Sequence, residues 1–536
     1  PEVDVAALRA EDAANDAAGF DKPMRVGHPM KTDLEPARAG AWESVGVAGD
    51  VWRLRIRSKD AVWIVLGFGT FRPGDGVRMY VYDEARTRVL GPFTVADVRE
   101  HGQLWMPPIA GDTVVVELYR PRGQDGVAPA IHLGTVSHGY EPWGGIGAEG
   151  GDAGIDSGSC NIDVACPLAT DWQDQKRGVV NLLSGGSGYC TGSLITNTAG
   201  DCANYVLTAA HCLSSQSSAA STTFQFNFER PACGSGIAPT DQVVTGSTLR
   251  ATYSTSDMTL LEIDVEIPEA FDPVYNGWSR DPTAGTESWG IHHPSNDEKA
   301  ISFNQDPLVD GQNYGADHWR INQWEEGTTE PGSSGSPLFD QNQRIVGQLH
   351  GGTASCSSLT WDEYGKVDVS WDGGGAPASA LATWLDPLDA GVVVLDGIDG
   401  AVCRIPQPKF VHDATTVDDT QGNADGVVDP GERIVLAVDL RNAGTLDGTA
   451  VAGVLSSPDS GVTVIDDAAT WPDIPIDAAQ TSDSPHFTVD VDGAVACGQV
   501  LSFQIDVVPA EDPGAGSVAF DVPTGTASVD TRFSDD

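Results

Sequence analysis

The sequence predicts an all-β protein, and three observations carry that expectation. Gly 62 and Pro 33 favour many short strands joined by turns over long helices. Apolar and polar residues alternate over runs of five to nine positions, the period of a half-buried strand. Hydrophobic residues make up 40% and charged residues 20%, so those strands have a core to close on. At 536 residues the chain is too long for one such core, and roughly three units are expected.

Residues 1 to about 40 are Ala- and Asp-rich with scattered prolines; alternation then starts at 51–56, 61–66, 77–82 and 113–119. These read as strands of a cysteine-free sandwich. The Gly-rich stretch 144–154 has the composition of a flexible linker and suggests a boundary. From about Ser157 to about Gly400 the chain holds seven of the nine cysteines and five of the eleven histidines, again with short strands, and closes on a predicted helix at 378–385. Beyond the segment Arg404-Ile405-Pro406-Gln407-Pro408-Lys409, alternating runs at 433–440, 461–465, 487–491 and 501–508 suggest an Ig-like sandwich. The expected domains are therefore 1–150, 154–400 and 410–536.

Net charge is −47, which would repel phosphate backbones and anionic membranes from nearly every face. Neither nucleic acid nor membrane is an expected partner, and the chain is expected to act as a monomer. Solubility, bound calcium and attraction of cationic substrates all remain open as reasons for the acidity. No apolar run approaches the ~20 residues of a membrane helix. Cysteines 160, 166, 190, 202, 212, 233, 356, 403 and 497 include no CxxC pair, so disulfides and an oxidising, extracellular compartment are favoured over zinc.

Acyl transfer at neutral pH needs a nucleophilic hydroxyl, a base of pKa near 6.5, a carboxylate to hold that base, and N–H donors for an oxyanion. Pro331-Gly332-Ser333-Ser334-Gly335-Ser336-Pro337-Leu338 supplies the nucleophile candidate Ser334. Its flanking glycines permit a tight turn that aims the N–H groups of Gly332 and Ser334 at one point. Tyr205-Val206-Leu207-Thr208-Ala209-Ala210-His211-Cys212 runs an apolar strand into a histidine, some twenty residues after Cys190-Thr191-Gly192-Ser193. Asp257 precedes the apolar run 258–261, which would bury its carboxylate beside His211. The chain order His, Asp, Ser is that of the chymotrypsin arrangement.

With these strings in place, residues 157–398 resemble the bacterial lysyl endopeptidase family of trypsin-like serine proteases. Ser157-Gly158-Ser159-Cys160-Asn161-Ile162-Asp163-Val164, Gly290-Ile291-His292-His293-Pro294 and Gly347-Gln348-Leu349-His350-Gly351-Gly352 carry the likeness further. The resemblance implies a chymotrypsin-like double β-barrel, flanked here by an N-terminal β-sandwich pro-region and the C-terminal Ig-like sandwich. It also implies the disulfides Cys160–Cys356, Cys166–Cys233 and Cys190–Cys212. Cys403 and Cys497 are then expected to clamp the third domain, and Cys202 to stay unpaired. Asp362, in Asp362-Glu363-Tyr364-Gly365, matches the family's lysine-selecting aspartate, since a desolvated carboxylate discriminates for a cation. His350 matches a histidine that stacks against a tryptophan, a place that Tyr314 takes here. The implied activity is secreted endopeptidase cleavage after lysine in protein or peptide substrates, with a broader Lys/Arg protease or a catalytically dead calcium-dependent surface-binding protein as alternatives. No cofactor is expected for catalysis.

Two departures bear on activation. Trypsin-type zymogens pair a new amino terminus with an aspartate just before the nucleophile, and position 333 is Ser. Control by the N-terminal region is therefore expected to act by steric masking or folding assistance. No Lys or Arg lies between Arg122 and Cys160, so self-cleavage after lysine is not expected at that junction. Ser157 in Asp156-Ser157-Gly158 looks like a nucleophile signature but lies before the His-bearing segment and reads as the domain junction. In the third domain, Asn423, Asp425, Asp429 and Glu432 follow calcium-loop spacing around Gly426, with Asp419 as a further carboxylate, and a structural calcium is the sharper expectation there.

Overall fold

The computed structural model describes residues 3–17, 24–45, 49–122, 129–148, 157–387, 391–403, 408, 410–442, 446–476, 478–511 and 516–525. They fall into two compact units, 1–403 and 404–536.

In the first unit, residues 27–139 form two antiparallel sheets. One runs in the order Ala41–Ser44, Gly49–Arg57, Thr113–Pro121, Arg78–Asp83, Val89–Phe93; the other runs Gly27–Leu34, Ala130–Gly139, Trp63–Arg72, Leu104–Trp105, with Ile109–Ala110 also on Trp63–Arg72. Strand alternation sets the core: Val114, Val116 and Leu118 are buried together with Ile64, Leu66, Phe68, Met79 and Val81, while Glu117 between them turns outward to Arg53 and Tyr82.

The central region follows as two further sheets, the two halves of the expected double barrel. The first, among the described residues, orders Val243–Thr245, Thr223–Gln225, Val179–Ser184, Gly188–Leu194, Tyr205–Ala209, Met258–Ile263 and Ser247–Tyr253. The second centres on Ser288–His292, Pro337–Asp340, Ile345–Gly352, Asp362–Lys366 and His318–Ile321. The predicted helix at 378–385 is shortened to Ala382–Leu385. Ala378 gives its carbonyl to Thr252 and Ser379 donates its hydroxyl to Gly373, so those two residues are committed to a turn.

The N-terminal region is built into the central one. Met24–Arg25 pairs antiparallel with Gly188 and Tyr189, and Val26, Trp63, Val65, Trp143, Ile146, Leu183 and Tyr189 share one apolar cluster. The start of the expected flexible linker is a packed turn instead. Trp143 is fully buried, the Gly144 N–H donates to Asn296, and Gln225 donates back to the Gly144 carbonyl. A Cβ on Gly144, at φ +51°, would stand 1.7 Å from Gln225 Oε1, so glycine here serves close packing. The rest of that stretch, 149–154, lies outside the described residues.

The second unit is a two-sheet sandwich. Phe410–Asp418, Arg433–Asn442, Phe487–Val491 and Val462–Asp466 form one sheet, and Ala468–Thr470, Ala452–Ser456, Val500–Val508 and Ser517–Pro523 the other. Trp471, Phe487, Phe503 and the inward residues of Arg433–Asn442 fill the space between them.

Cys160–Cys356, Cys166–Cys233 and Cys190–Cys212 are disulfides, as the resemblance implies. The remaining cysteines depart from expectation. Cys202 is disulfide-bonded rather than unpaired, and Cys497 is a free, exposed thiol, so the expected Cys403–Cys497 clamp is not formed. Cys497 lies on a surface turn just before strand Val500–Val508, away from the sandwich core. The side chain of Cys403 lies outside the described residues.

Candidate active site

The register of two strands brings His211 and Asp257 together. Tyr205–Ala209 pairs with Met258–Ile263 so that Ala209 faces Met258; the chain ends just beyond, Ala210-His211 and Asp257, therefore meet. Ala210 N–H donates to the Asp257 carbonyl, and Asp257 takes a positive φ of 53° at this junction. Its carboxylate accepts the His211 backbone N–H at 2.8 Å on Oδ1 and His211 Nδ1 at 2.7 Å on Oδ2. With Nδ1 so held, the imidazole presents Nε2 as its free base.

Ser334 is brought to the same place by the neighbouring barrel. Thr191 N–H donates to the Ser334 carbonyl at 2.8 Å. Cys212 Sγ lies 3.8 Å from that carbonyl and 3.9 Å from His211 Nε2, so both sit against one sulfur. Gly335 lies against the end of the His211-bearing strand, where a Cβ would stand 2.2 Å from Thr208 Oγ1. Gly332 and Gly335 both have positive φ, +96° and +80°, which makes the tight turn around Ser334. Among the described residues, neither the Gly332 nor the Ser334 N–H has an acceptor, the arrangement an oxyanion site requires.

Ser333, the position of the expected departure, is fully buried. It accepts the Glu330 N–H and donates to His292 Nδ1 at 2.8 Å, and His292 Nε2 lies 3.0 Å from Ser302 Oγ, which donates to the Thr328 carbonyl. Burial holds His292 down to about 3, so the chain is neutral throughout. A neutral histidine therefore braces the nucleophile turn from behind. Ser157 is elsewhere occupied: its hydroxyl donates to Asp297.

Asp362 is 1% exposed and heads strand Asp362–Lys366. Trp324 Nε1 and Thr329 Oγ1 both donate to its Oδ2 at 2.7 Å. Its Oδ1 has no partner of hydrogen-bond length and lies under Gly352, where a Cβ would stand 2.0 Å away. Burial pushes Asp362 up to about 6, against the pull of Trp324, Thr329 and, at longer range, the Ala354 N–H. Sequence reasoning found Asp362 but not its holders, since Trp324 sits in a separate loop with no motif around it.

Sequence reasoning also missed Glu363. It is fully buried and accepts the N–H groups of Gln312, Asn313 and Tyr314, with Arg320 Nη1 at 2.8 Å. Burial would raise its pKa, yet these donors win and hold it below the usual carboxylate range. The loop so gripped sets Tyr314 flat on His350, with ring centres 3.7 Å apart and planes at 17°. His350 in turn stacks toward His211 at 5.6 Å.

In the C-terminal unit, the acidic loop closes on itself. Asn423 Nδ2 donates to Asp429 and Asp425, Glu432 accepts the Asn423 and Asp429 N–H groups, and buried Asp419 accepts the Gly426 N–H. Oxygen donors for a hard cation are present, but Glu432 is already engaged by backbone, so the fit is partial.

A family model described as the lysyl endopeptidase N-terminal domain matches residues 1–140, and one described as the lysyl endopeptidase C-terminal domain matches residues 155–365. A lysyl endopeptidase of Pseudomonas aeruginosa is 28% identical over 283 residues, which take in 49% of this chain and 60% of that protein. Among solved structures, the Vibrio cholerae VesB protease covers 65% of this chain and 94% of its own at 14% identity, with a TM-score of 0.24. A Glu endopeptidase structure covers 40% of this chain and 93% of its own at 18% identity, with a TM-score of 0.26.

Proposed function

The chain belongs to the lysyl endopeptidase family, and from that premise we propose that it is a secreted serine endopeptidase cutting on the carboxyl side of lysine. Ser334 attacks the scissile carbonyl. His211 takes its proton on Nε2 and later gives it to the leaving amine, and Asp257 holds the imidazole through Nδ1. The Gly332 and Ser334 N–H groups receive the oxyanion.

One observation carries the lysine preference: a buried aspartate with one oxygen satisfied by neutral donors and the other empty. A lysine ammonium supplies the missing donors and the countercharge together. A substrate without that cation leaves Asp362 as it was, desolvated and without a countercharge. The chain's own catalytic-region lysines fit such an activity. Lys299 is fully buried between Glu229 and the Lys176 carbonyl, Lys176 pairs with Glu229, and Lys366 is buried on Asp310. Lys299 and Lys366 are thereby withdrawn from cleavage.

The N-terminal region lends a strand to the catalytic sheet. Among the described residues, no hydrogen bond or ion pair joins it to His211, Asp257 or Ser334. The test is a pair of fluorogenic peptides differing only in Lys or Arg before the cleaved bond. At least tenfold faster turnover of the Lys peptide is expected; equal turnover would replace the proposal with a broader Lys/Arg protease. Absence of both turnover and labelling of Ser334 by a serine-directed phosphonate would leave a catalytically dead protein.

A further inference from the structure

A second histidine stands behind His350. His318 begins strand His318–Ile321, faces Gly365 in the register with Asp362–Lys366, and is 1% exposed. Its Nε2 lies 2.9 Å from His350 Nδ1. His350 Nε2 lies 3.8 Å from Asp257 Oδ2, the same oxygen that takes His211 Nδ1. The line His318, His350, Asp257, His211 thus runs from the barrel interior to the base.

We propose that His318 is a positioning residue of the active site: it donates its Nε2–H to His350 Nδ1 and so fixes His350 as the neutral tautomer whose Nε2–H faces Asp257. The inference rests on the endopeptidase reading above. The reverse bond is disfavoured twice. It would put the His318 proton on Nδ1, which is buried with no partner among the described residues, and an unpaired buried donor is costly. It would also turn the His350 Nε2 lone pair onto a carboxylate. In the forward arrangement only the His318 Nδ1 lone pair goes unfilled.

The charge balance keeps His318 in this role. Burial and neighbouring His350 disfavour its protonation, while Asp257, Glu363 and Asp317 favour it; burial wins and holds His318 down to about 4. Among the described residues, the groups facing His350 include Asp257, His211, His318 and Tyr314. A second proton on His350 would need an acceptor at His318 Nε2 and would drive the His318 proton to Nδ1, where nothing receives it. His318 therefore opposes a positive charge on His350, and the Asp257 carboxylate stays committed to the His211 imidazolium that forms during acyl transfer.

The readout is the pH dependence of covalent inactivation of the full chain by a small uncharged fluorophosphonate, which reports on Ser334 without using Asp362. Wild type should lose reactivity toward acid with a slope of about 1, from His211 alone. His318→Phe, which keeps the ring and removes the donor, should steepen that limb toward about 2 as His350 also titrates. In wild type, the 15N signals of His350 should report a protonated Nε2 and an unprotonated Nδ1. A His318→Phe profile parallel to wild type at any overall rate would overturn the inference and leave the function standing, as would a wild-type His350 found protonated on Nδ1. No reaction of wild type at any pH would remove the endopeptidase reading and this inference together.

Discussion

Asp257 and Asp362 are both buried carboxylates of the same double barrel, 4% and 1% exposed, and they are furnished in opposite ways. Asp257 has both oxygens engaged by one residue, His211, through its backbone N–H and its ring. Asp362 has one oxygen engaged by two residues and the other packed under Gly352 without a partner of hydrogen-bond length. A carboxylate that is filled holds a base in place; one left half-filled is a receptor for a cation. The contrast predicts that their amides fail differently. Asp257→Asn should lower kcat by about 10^4 on every substrate, because the wrong His211 tautomer is then held. Asp362→Asn should lower kcat/KM on lysine peptides by on the order of 10^3 yet leave fluorophosphonate labelling of Ser334 unchanged. Loss of labelling in the second variant would break the division of labour.

The same contrast extends to stability. The folded-state value of Asp362, about 6, lies above the ~3.9 of an unfolded aspartate. Between those values the folded state holds a proton that the unfolded state has released, so stability falls as pH rises through roughly 4 to 6. Above pH 6 the buried charge costs on the order of 3 kcal/mol. Asp362→Asn should therefore stabilise the protein by about 1–3 kcal/mol at pH 8 and by little at pH 4, read as a shift in the urea midpoint at constant slope. An equal gain at both pH values would assign the effect to packing instead. On lysine peptides, wild-type kcat/KM should also fall more steeply below pH 6 than fluorophosphonate reactivity does, since only peptide binding needs Asp362 ionised.

Legibility in the sequence divides along the same line. His211, Asp257 and Ser334 lie at strand ends or on a glycine turn, so short strings announce them. The second unit's strands were legible for a similar reason: alternation in 433–440 and 487–491 persists almost unchanged in Arg433–Asn442 and Phe487–Val491. The holders of Asp362 were not, because Trp324 and Thr329 reach it from separate loops and only the folded barrel puts them 2.7 Å away. Cysteine parity told that one thiol is odd without telling which. Cys202 was the wrong choice and exposed Cys497 the outcome. The glycine-rich stretch misled through composition, since Gly144 serves packing against Gln225 where glycine alone suggested freedom.

Glu363 sharpens the comparison by a smaller effect. It neighbours Asp362 in sequence, and strand alternation turns the two side chains to opposite faces. Where Asp362 leaves an oxygen empty, Glu363 fills both, with three backbone N–H groups of residues 312–314 and Arg320. Glu363→Gln would set an NH2 group against some of those N–H donors and remove the countercharge of Arg320, so a loss of about 2–4 kcal/mol in unfolding free energy is expected. Activity should suffer less, by about tenfold in kcat, because the change reaches the chemistry only through the seat of Tyr314 on His350. If that route is the right one, Tyr314→Ala should cost a similar factor and add nothing to Glu363→Gln. Additive losses in kcat from Glu363→Gln and Tyr314→Ala would show that Glu363 acts on the site by another path.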